Sequence, residues 1–344
     1  MKTPGLIRSG WWVLVAAAAL SALMAWTFFR VTTTSRIDEE KVVIELEPCR
    51  VEPDRLIVAM ARDSLVALTM PATLTPDEVD LRNQEERGKL LVSSDRVIGV
   101  NMGGETRAYP LRLLRWHEVV NDRVGGRAIA VTYSPLSGAV AVWDRRLRGV
   151  EIEFGVSGRL FNSNTLLYDR RADGGPSSLW HQLSGQALAG PAVGENLSPL
   201  SAEIETWAEW RRRHPSTRVM APDSDSKQLY KRDPYHSYRG SDALRFPVSP
   251  LPPGDALALK DLVAVATVGG TDHAFALRDL GEAVGAPRGS WAALLDDVVY
   301  MISFDAEAGT FRIAAHERDL APPPVRFAYW FEWYSLNPET VPLP

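Results

Sequence analysis

Between Asp95 and Leu114 the chain reads DRVIGVNMGGETRAYPLRLL, and between Asp261 and Leu280 it reads DLVAVATVGGTDHAFALRDL. The two stretches share their first and last residues, several apolar positions and a central Gly-Gly pair. Each stretch predicts a strand, a tight turn, a second strand and a short helix, because glycine reaches the positive φ of a hairpin turn without strain. The sequence therefore predicts two related β-rich units.

A second pair of matching segments closes the two units. The first unit ends with Trp207-Ala-Glu-Trp210 and Thr217, and the second ends with Trp330-Phe-Glu-Trp333 and Thr340 at the same spacing. Two tryptophans three positions apart lie on one face of a helix, so each unit should end in a short helix that buries both rings. The predicted fold class is mainly β (α+β), with two related units and short Trp-bearing helices.

Other apolar runs predict further strands. They are Ala128–Thr132, Ala139–Trp143, Val150–Val156, Leu160–Tyr168 and Ser178–Leu183 in the first unit, and Val298–Phe304 and Thr310–Ala314 in the second. The run at 150–156 alternates apolar and polar residues, which is typical of a half-buried strand. The second unit is shorter, with only the turn Asp305–Gly309 where the first has a loop and a long insertion.

The predicted boundaries follow from these patterns. The first β-rich unit covers residues 95–221, and the second covers residues 257–344. Residues 222–256 are rich in Asp, Ser, Pro and Tyr and are expected to connect the two units. Residues 30–94 are expected to form a tether and an irregular lead-in with some strand.

Residues 11–29 form an uncharged apolar stretch, WWVLVAAAALSALMAWTFF, which is long enough to span a bilayer. Its terminal tryptophans suit the two membrane interfaces. A cleaved signal peptide is the alternative, although the run is long and its small-residue cleavage site is weak. We expect a single-pass anchor in a bacterial cytoplasmic membrane. Residues 1–10 would lie in the cytoplasm and the main domain on the periplasmic or extracellular side.

The composition narrows the possible partners and cofactors. The chain has 344 residues and a formal net charge of −5, which argues against a nucleic-acid partner because such proteins need a basic face. Its single cysteine, Cys49, excludes an intrachain disulfide and a cysteine-based metal cluster. The sequence has no phosphate-binding glycine loop and no His-based metal motif, so we expect neither a cofactor nor a metal.

The best-marked candidate site is the loop within Val131-Thr-Tyr-Ser-Pro-Leu-Ser-Gly138, which follows an apolar run and places Ser134 and Ser137 three residues apart. With cysteines at these two positions, the loop would be a C-x-x-C redox motif at the end of a strand. A serine hydroxyl has no accessible thiolate state and forms no disulfide. Thiol exchange at this loop is therefore excluded.

Several short motifs around the loop resemble those of one bacterial family. They are Val97-Ile-Gly-Val100, Glu105-Thr-Arg-Ala-Tyr-Pro-Leu111, Trp116-His-Glu-Val-Val-Asn-Asp122, Thr132-Tyr-Ser-Pro-Leu-Ser-Gly138, Phe154-Gly-Val-Ser-Gly158, Asn162-Ser-Asn164, Tyr168-Asp-Arg170 and Leu179-Trp-His-Gln182. The family is domain of unknown function 3179, some of whose members are described as selenoproteins. The resemblance runs from about Asp63 to the C-terminus and implies a fold without an established activity.

The family's loop reads Tyr-Cys-Pro-Leu-Cys-Gly. The resemblance therefore implies that Ser134 and Ser137 replace both sulfur positions, so that any redox role of the family would be absent from this chain. As nucleophiles the two serines would need a base, and His117 and Asp122 are the nearest candidates for a Ser–His–Asp arrangement. The alternative is a tight loop whose hydroxyls cap backbone groups.

A second cluster of polar residues offers candidates for ligand binding, namely Asn162, Asn164, Tyr168 and Asp169. If the run is one strand, Asn162 and Asn164 lie on one face, where two amides could hold a ligand. A buried polar network that fixes the sheet is the alternative reading. The segment around His117 could likewise bind a metal or be a simple turn.

Together these patterns favour a membrane-anchored, non-catalytic accessory subunit of a larger respiratory, photosynthetic or envelope complex. The alternative is a periplasmic ligand-binding or hydrolytic domain that uses His117, Ser134, Ser137, Asn162 and Asn164. Thiol–disulfide chemistry would have to depend on Cys49 and a partner protein.

Overall fold

The computed structural model describes residue 44 and residues 46–85, 89–171, 175–254, 257–317 and 320–343. The predicted membrane anchor at residues 11–29 lies outside these residues. Within the described ranges, no helix is both long and apolar enough to cross a membrane.

The described chain is mainly β, which confirms the predicted fold class. Its strands are β1 Ile57–Val58, β2 Leu68–Thr69, β3 Thr73–Leu74, β4 Arg96–Met102, β5 Glu105–Pro110, β6 Val119–Val124, β7 Arg127–Ser134, β8 Ala139–Asp144, β9 Arg146–Leu147, β10 Val150–Glu151, β11 Glu153–Phe161, β12 Asn164–Arg170, β13 Leu179–His181, β14 Ala187–Ala189, β15 Glu203–Thr206, β16 Arg218–Met220, β17 Leu262–Val268, β18 Thr271–Ala276, β19 Arg288–Leu295, β20 Val298–Asp305, β21 Thr310–Ala315 and β22 Val325–Tyr329. Its α-helices are α1 Pro76–Glu85, α2 Leu111–Leu114, α3 Trp207–Arg213, α4 His236–Arg239, α5 Leu277–Val284 and α6 Trp330–Leu336.

The strands form three larger sheets. The eight-stranded sheet has the order β19-β20-β21-β15-β4-β5-β16-β3, and the seven-stranded sheet has the order β18-β17-β22-β8-β7-β6-β2. The five-stranded sheet has the order β1-β11-β12-β13-β14, and β9 pairs with β10. The largest apolar core joins residues of the eight- and seven-stranded sheets, such as Ile98 and Val131. A second core joins Trp143 of the seven-stranded sheet to Trp180 of the five-stranded sheet.

The predicted repeat is present, and its two units interlock. The elements β4–β5–α2–β6–β7–β8 and β15–α3 follow the same order as β17–β18–α5–β19–β20–β21 and β22–α6. The eight-stranded sheet contains β4, β5 and β15 of the first unit beside β19, β20 and β21 of the second, and the seven-stranded sheet contains the complementary set. Each large sheet is therefore built from both units.

The Trp-bearing helices repeat in detail. The indole of Trp210 donates a hydrogen bond to Thr217 at 3.0 Å, and the indole of Trp333 donates one to Thr340 at 3.2 Å. Each helix also begins with a bond from its first tryptophan to the residue that starts its unit, because the backbone N–H groups of Trp207 and Trp330 bond the carbonyls of Asp95 and Asp261. Helix α3 packs on the outer face of the eight-stranded sheet, and α6 packs on that of the seven-stranded sheet.

The insertion differs from the sequence prediction. The run Leu160–Tyr168 is not one strand, because Asn162 and Ser163 adopt φ of 50° and 65° and form the turn between β11 and β12. The lead-in also contains α1, whose first turn Thr75 and Glu78 close by reciprocal hydrogen bonds. The sequence Thr75-Pro-Asp-Glu78 fits this capping pattern, so the start of α1 is a local signal that the predicted irregular lead-in does not include.

Candidate functional site

The serine loop, Ser134–Gly138, joins β7 to β8 and corresponds to the turn Asp305–Gly309 between β20 and β21. Gly138 and Gly309 have φ of 61° and 64°, so both turns end in the same left-handed conformation. The carbonyl of Ser137 accepts a hydrogen bond from the backbone of Tyr329 at 2.7 Å. The loop therefore fastens the last strand of the second unit to the first.

Ser137 is fully buried and belongs to a chain of side-chain hydrogen bonds. Asn164 Nδ2 donates to Ser137 Oγ at 2.9 Å and to Gln182 Oε1 at 3.0 Å. Gln182 Nε2 donates to Thr132 Oγ1 at 2.8 Å, and this hydroxyl donates to the carbonyl of Ala141. The chain links β12, the turn after β13, and β7, so the hydroxyl of Ser137 helps to join the seven-stranded sheet to the insertion.

Ser134 is also fully buried, and its hydroxyl belongs to a second chain of hydrogen-bonding groups. Ser134 Oγ lies 3.3 Å from the backbone nitrogen and 3.2 Å from the hydroxyl of Thr165. Thr165 Oγ1 lies 2.8 Å from Glu118 Oε2. The order of donors depends on Glu118: an ionised carboxylate accepts from Thr165, whereas a protonated carboxyl can donate to it and reverse the chain.

Glu118 is a carboxyl near the loop whose pKa is raised into the neutral range. Its side chain is almost completely buried, and burial raises its pKa to about 7 against the opposing effect of the Thr165 hydrogen bond. Its backbone has φ of 57°, a conformation that costs a non-glycine residue roughly 1–3 kcal/mol. Glu118 borders a pocket of about 210 Å³ that Leu136 of the serine loop also lines.

His117 lies apart from the two serines. Its Nδ1 is 2.7 Å from the carbonyl of Val66, which can only accept, so Nδ1 carries the proton. Its Nε2 then accepts from the hydroxyl of Tyr230 at 2.5 Å. Burial lowers the pKa of His117 and favours this neutral form. Both nitrogens are occupied, so the proposed Ser–His–Asp arrangement is not formed.

Asp122 also forms its hydrogen bonds away from His117. Its carboxylate accepts hydrogen bonds from Tyr109 and Arg107, both at 2.8 Å, and from the backbone of Arg123. These contacts connect β5 to β6, and the Asp122 carboxylate makes no hydrogen bond to His117. The reading of this segment as a simple turn is also wrong, because Val119–Val124 is the buried strand β6.

The remaining candidates do not share one cleft. Asn162 lies in the β11–β12 turn, where its amide bonds Ser335 and the carbonyl of Ser249. Tyr168 donates to Asp63, and Asp169 accepts from the backbone of Ser178. Burial raises the pKa of Asp169, which borders a second, open cleft of about 990 Å³. Of the two candidate asparagines, Asn164 is the one that hydrogen-bonds the serine loop among the described residues.

Sequence reasoning missed a buried pair beside this network. His181 Nε2 lies 3.4 Å from Glu332 Oε1, and both side chains are almost completely buried. The backbone N–H of Ser184 donates to His181 Nδ1, so the ring proton lies on Nε2 and faces the carboxylate. Burial raises the pKa of Glu332. The pair joins β13 to α6 and requires tertiary contacts that no local pattern contains.

The arrangement is better suited to structure and binding than to nucleophilic catalysis. Both serine hydroxyls are buried, and neither lies beside a histidine base. In the part of the chain that the structure describes, no group of three or more His, Cys, Asp or Glu side chains could hold a metal ion.

Of the comparisons with known proteins, one identifies a family. No curated protein and no solved structure matches this chain. A family model described as protein of unknown function (DUF3179) matches residues 69–340, which include both units and the serine loop. The chain therefore belongs to the DUF3179 family.

Proposed function

We propose that this chain is a non-catalytic accessory subunit of a larger membrane complex, anchored in the bacterial cytoplasmic membrane by residues 11–29. The observation that carries the proposal is the burial of Ser134 and Ser137, whose hydroxyls are held by Thr165 and Asn164. A loop that would carry reactive sulfur atoms in the family here carries hydroxyls that hydrogen-bond neighbouring strands. The domain on the periplasmic side would then act through its surface.

The internal repeat supports a docking surface on this domain. The outer face of β6–β8 is covered by the five-stranded sheet, which buries Ala130 and Trp143. The corresponding face of β19–β21 is the outer-sheet surface, defined by Ala292, Leu294, Val299 and Met301, and it remains uncovered by any described layer. Leu294 is 69% exposed and Met301 is 39% exposed.

The register shows that this exposed surface is continuous. Leu294 lies opposite Val299, and Ala292 lies opposite Met301, so the four side chains form adjacent cross-strand pairs on one face. Clustered apolar side chains on a water-exposed sheet are typical of a protein contact. The insertion covers the equivalent face within the chain, and we infer that a partner subunit covers this one.

The test is capture of the tagged full chain from native membranes in mild detergent, followed by size-exclusion chromatography and mass spectrometry. We expect a stoichiometric complex that survives purification. Leu294→Lys and Met301→Lys should release the partner. Leu251→Lys should not, because Leu251 is an exposed apolar residue outside the sheet. A wild-type chain that runs as a free monomer would contradict the proposal.

The alternative is a ligand-binding or hydrolytic domain. Of its five residues, Ser134, Ser137 and Asn164 belong to the hydrogen-bonded region of the loop, while His117 and Asn162 bond other segments. Hydrolysis would need a base in contact with a serine hydroxyl, and among the described residues no histidine or carboxylate hydrogen-bonds either one. Ligand binding has a specific observation in its favour, the pocket that Glu118 borders.

A further inference from the structure

The pocket beside the serine loop has an apolar wall and a polar floor. Leu136, Leu160 and Phe246 contribute apolar surface, and Glu118 and Thr165 contribute oxygen atoms. Its volume of about 210 Å³ equals the share of roughly seven liquid waters. The space therefore suits a molecule with a short chain or one ring.

Two guanidinium groups line this pocket without an acidic partner in the described chain. Arg159 donates one hydrogen bond, at 3.3 Å, to the carbonyl of Leu56. Arg245 lies over the ring of Tyr238 at 5.0 Å, and no hydrogen bond or ion pair among the described residues engages its guanidinium. Two guanidinium groups that form no ion pair among the described residues favour an anionic occupant, since arginine binds carboxylates through paired donors.

Two further groups of the pocket, a carboxyl and a phenol, can donate hydrogen bonds to a bound anion. Glu118 Oε2 bonds Thr165, and no hydrogen bond among the described residues engages its Oε1. The hydroxyl of Tyr235, which also lines the pocket, makes no hydrogen bond within the described chain. A protonated Glu118 and the phenol can each donate to an anion.

We propose that this pocket, the Glu118 pocket, binds a small organic monoanion such as a short-chain or single-ring carboxylate. Arg159 and Arg245 recognise its charge, Glu118 and Tyr235 donate to its oxygens, and Leu136 contacts its apolar body. The site is separate from the outer-sheet surface, so the inference stands or falls independently of the accessory-subunit proposal.

The geometry makes binding depend on a proton. The other titratable or charged groups that line the pocket beside Glu118 are Arg159, Arg245 and Tyr235. None of these is an acid that ionises near neutral pH, so Glu118 is the group whose charge changes there. An anion beside Glu118 disfavours its ionised form, so binding takes up a proton once the free carboxyl is ionised. Affinity should fall by up to about tenfold per pH unit above pH 7.

The experiment is calorimetric titration of the full chain in detergent with benzoate and butyrate at pH 6.0 and 8.0. Benzamide and benzylamine are the neutral and cationic comparisons. We expect a carboxylate to bind at millimolar concentration or better, at least fivefold more tightly at pH 6.0. Binding of benzylamine in preference to benzoate, or no binding of either carboxylate at 10 mM, would overturn the proposal.

Three variants identify the site. Arg245→Gln should weaken binding at least tenfold, because its guanidinium lies at the surface and its loss leaves the core intact. Glu118→Gln should retain binding and lose the pH dependence. Arg148→Gln is the matched control, since this exposed arginine lines the other cleft. Equal affinities for wild type and Arg245→Gln would place the ligand elsewhere and contradict the proposal.

Discussion

At the scale of single residues, the buried carboxyl of Glu118 is linked to the serine loop through the hydroxyl of Thr165, which lies beside Ser134. Ser134 and Ser137 stood out because two hydroxyls in a Pro-containing loop suggest a C-x-x-C motif. Glu118 lies within the motif Trp116–Asp122, but its role is not predictable from sequence, because the direction of its side chain depends on a positive φ that no local pattern indicates. Gln182, which completes the network of Ser137, lies in the turn after β13, far from the loop in sequence.

The raised pKa of Glu118 predicts a pH-dependent stability. The folded chain holds the proton up to about pH 7 while the unfolded chain releases it near its ordinary value of 4.5, so the folded state binds more protons between these values. Stability is therefore lost as pH rises through this window, by roughly 3 kcal/mol for the full shift. Glu118→Gln should remove this loss.

Urea unfolding of wild type and Glu118→Gln at pH 5 and pH 8 measures the effect. The variant should gain stability relative to wild type by a few kcal/mol at the higher pH. An unchanged difference between the two proteins at both pH values would show that Glu118 titrates normally.

Ser137→Ala should destabilise the domain by roughly 1–2 kcal/mol, because the amide of Asn164 loses an acceptor inside the protein. Ser224→Ala provides an exposed control with an expected change near zero. The measurement is the free energy of unfolding in urea of wild type and both variants. An unchanged free energy of unfolding for Ser137→Ala would mean that the Ser137 hydroxyl does not stabilise the fold.

At the scale of elements, hairpins and Trp-bearing helices were predictable because glycine pairs and tryptophan spacing are local signals. The turn at Asn162-Ser163 was missed since neither residue is glycine, although asparagine tolerates left-handed backbone better than most residues. Strands β15, β19 and β22 were also missed. Their partners come from distant segments or, for β19, across a turn made by Asp296 and Asp297.

The packing of α3 on β4 predicts that Gly99→Ala is destabilising. A Cβ at Gly99 would lie 2.1 Å from the indole of Trp210, which is fully buried and has no room to move. We expect a loss of about 1–3 kcal/mol. Gly254→Ala, where a Cβ meets no atom within 4 Å, is the control.

Thermal unfolding of both variants measures the difference. Combining Gly99→Ala with Trp210→Leu should cost less than the sum of the two single changes, because the shorter side chain relieves the clash. Full additivity would contradict the packing argument.

At the scale of the whole molecule, the repeat was read from sequence but its interlocking was not. Matching motifs identify two related units without specifying which strands pair between them. Each large sheet takes three repeat strands from each unit, so neither unit can complete its sheets alone.

This topology predicts that residues 44–240 and 257–344 fail to fold separately and associate when they are co-expressed. Circular dichroism and size-exclusion chromatography would show β-structure only for the mixture. A stable, monomeric fold of residues 257–344 alone would contradict the interlocked arrangement.

The most direct test of the accessory-subunit proposal is site-specific photo-crosslinking at Leu294 in native membranes. The proposal predicts one discrete protein attached to Leu294 and none attached at Leu251, with the crosslink lost when Met301 is changed to lysine. Intact membranes in which Leu294 forms no crosslink, or in which both positions capture the same mixture of proteins, would contradict a specific partner at the outer-sheet surface.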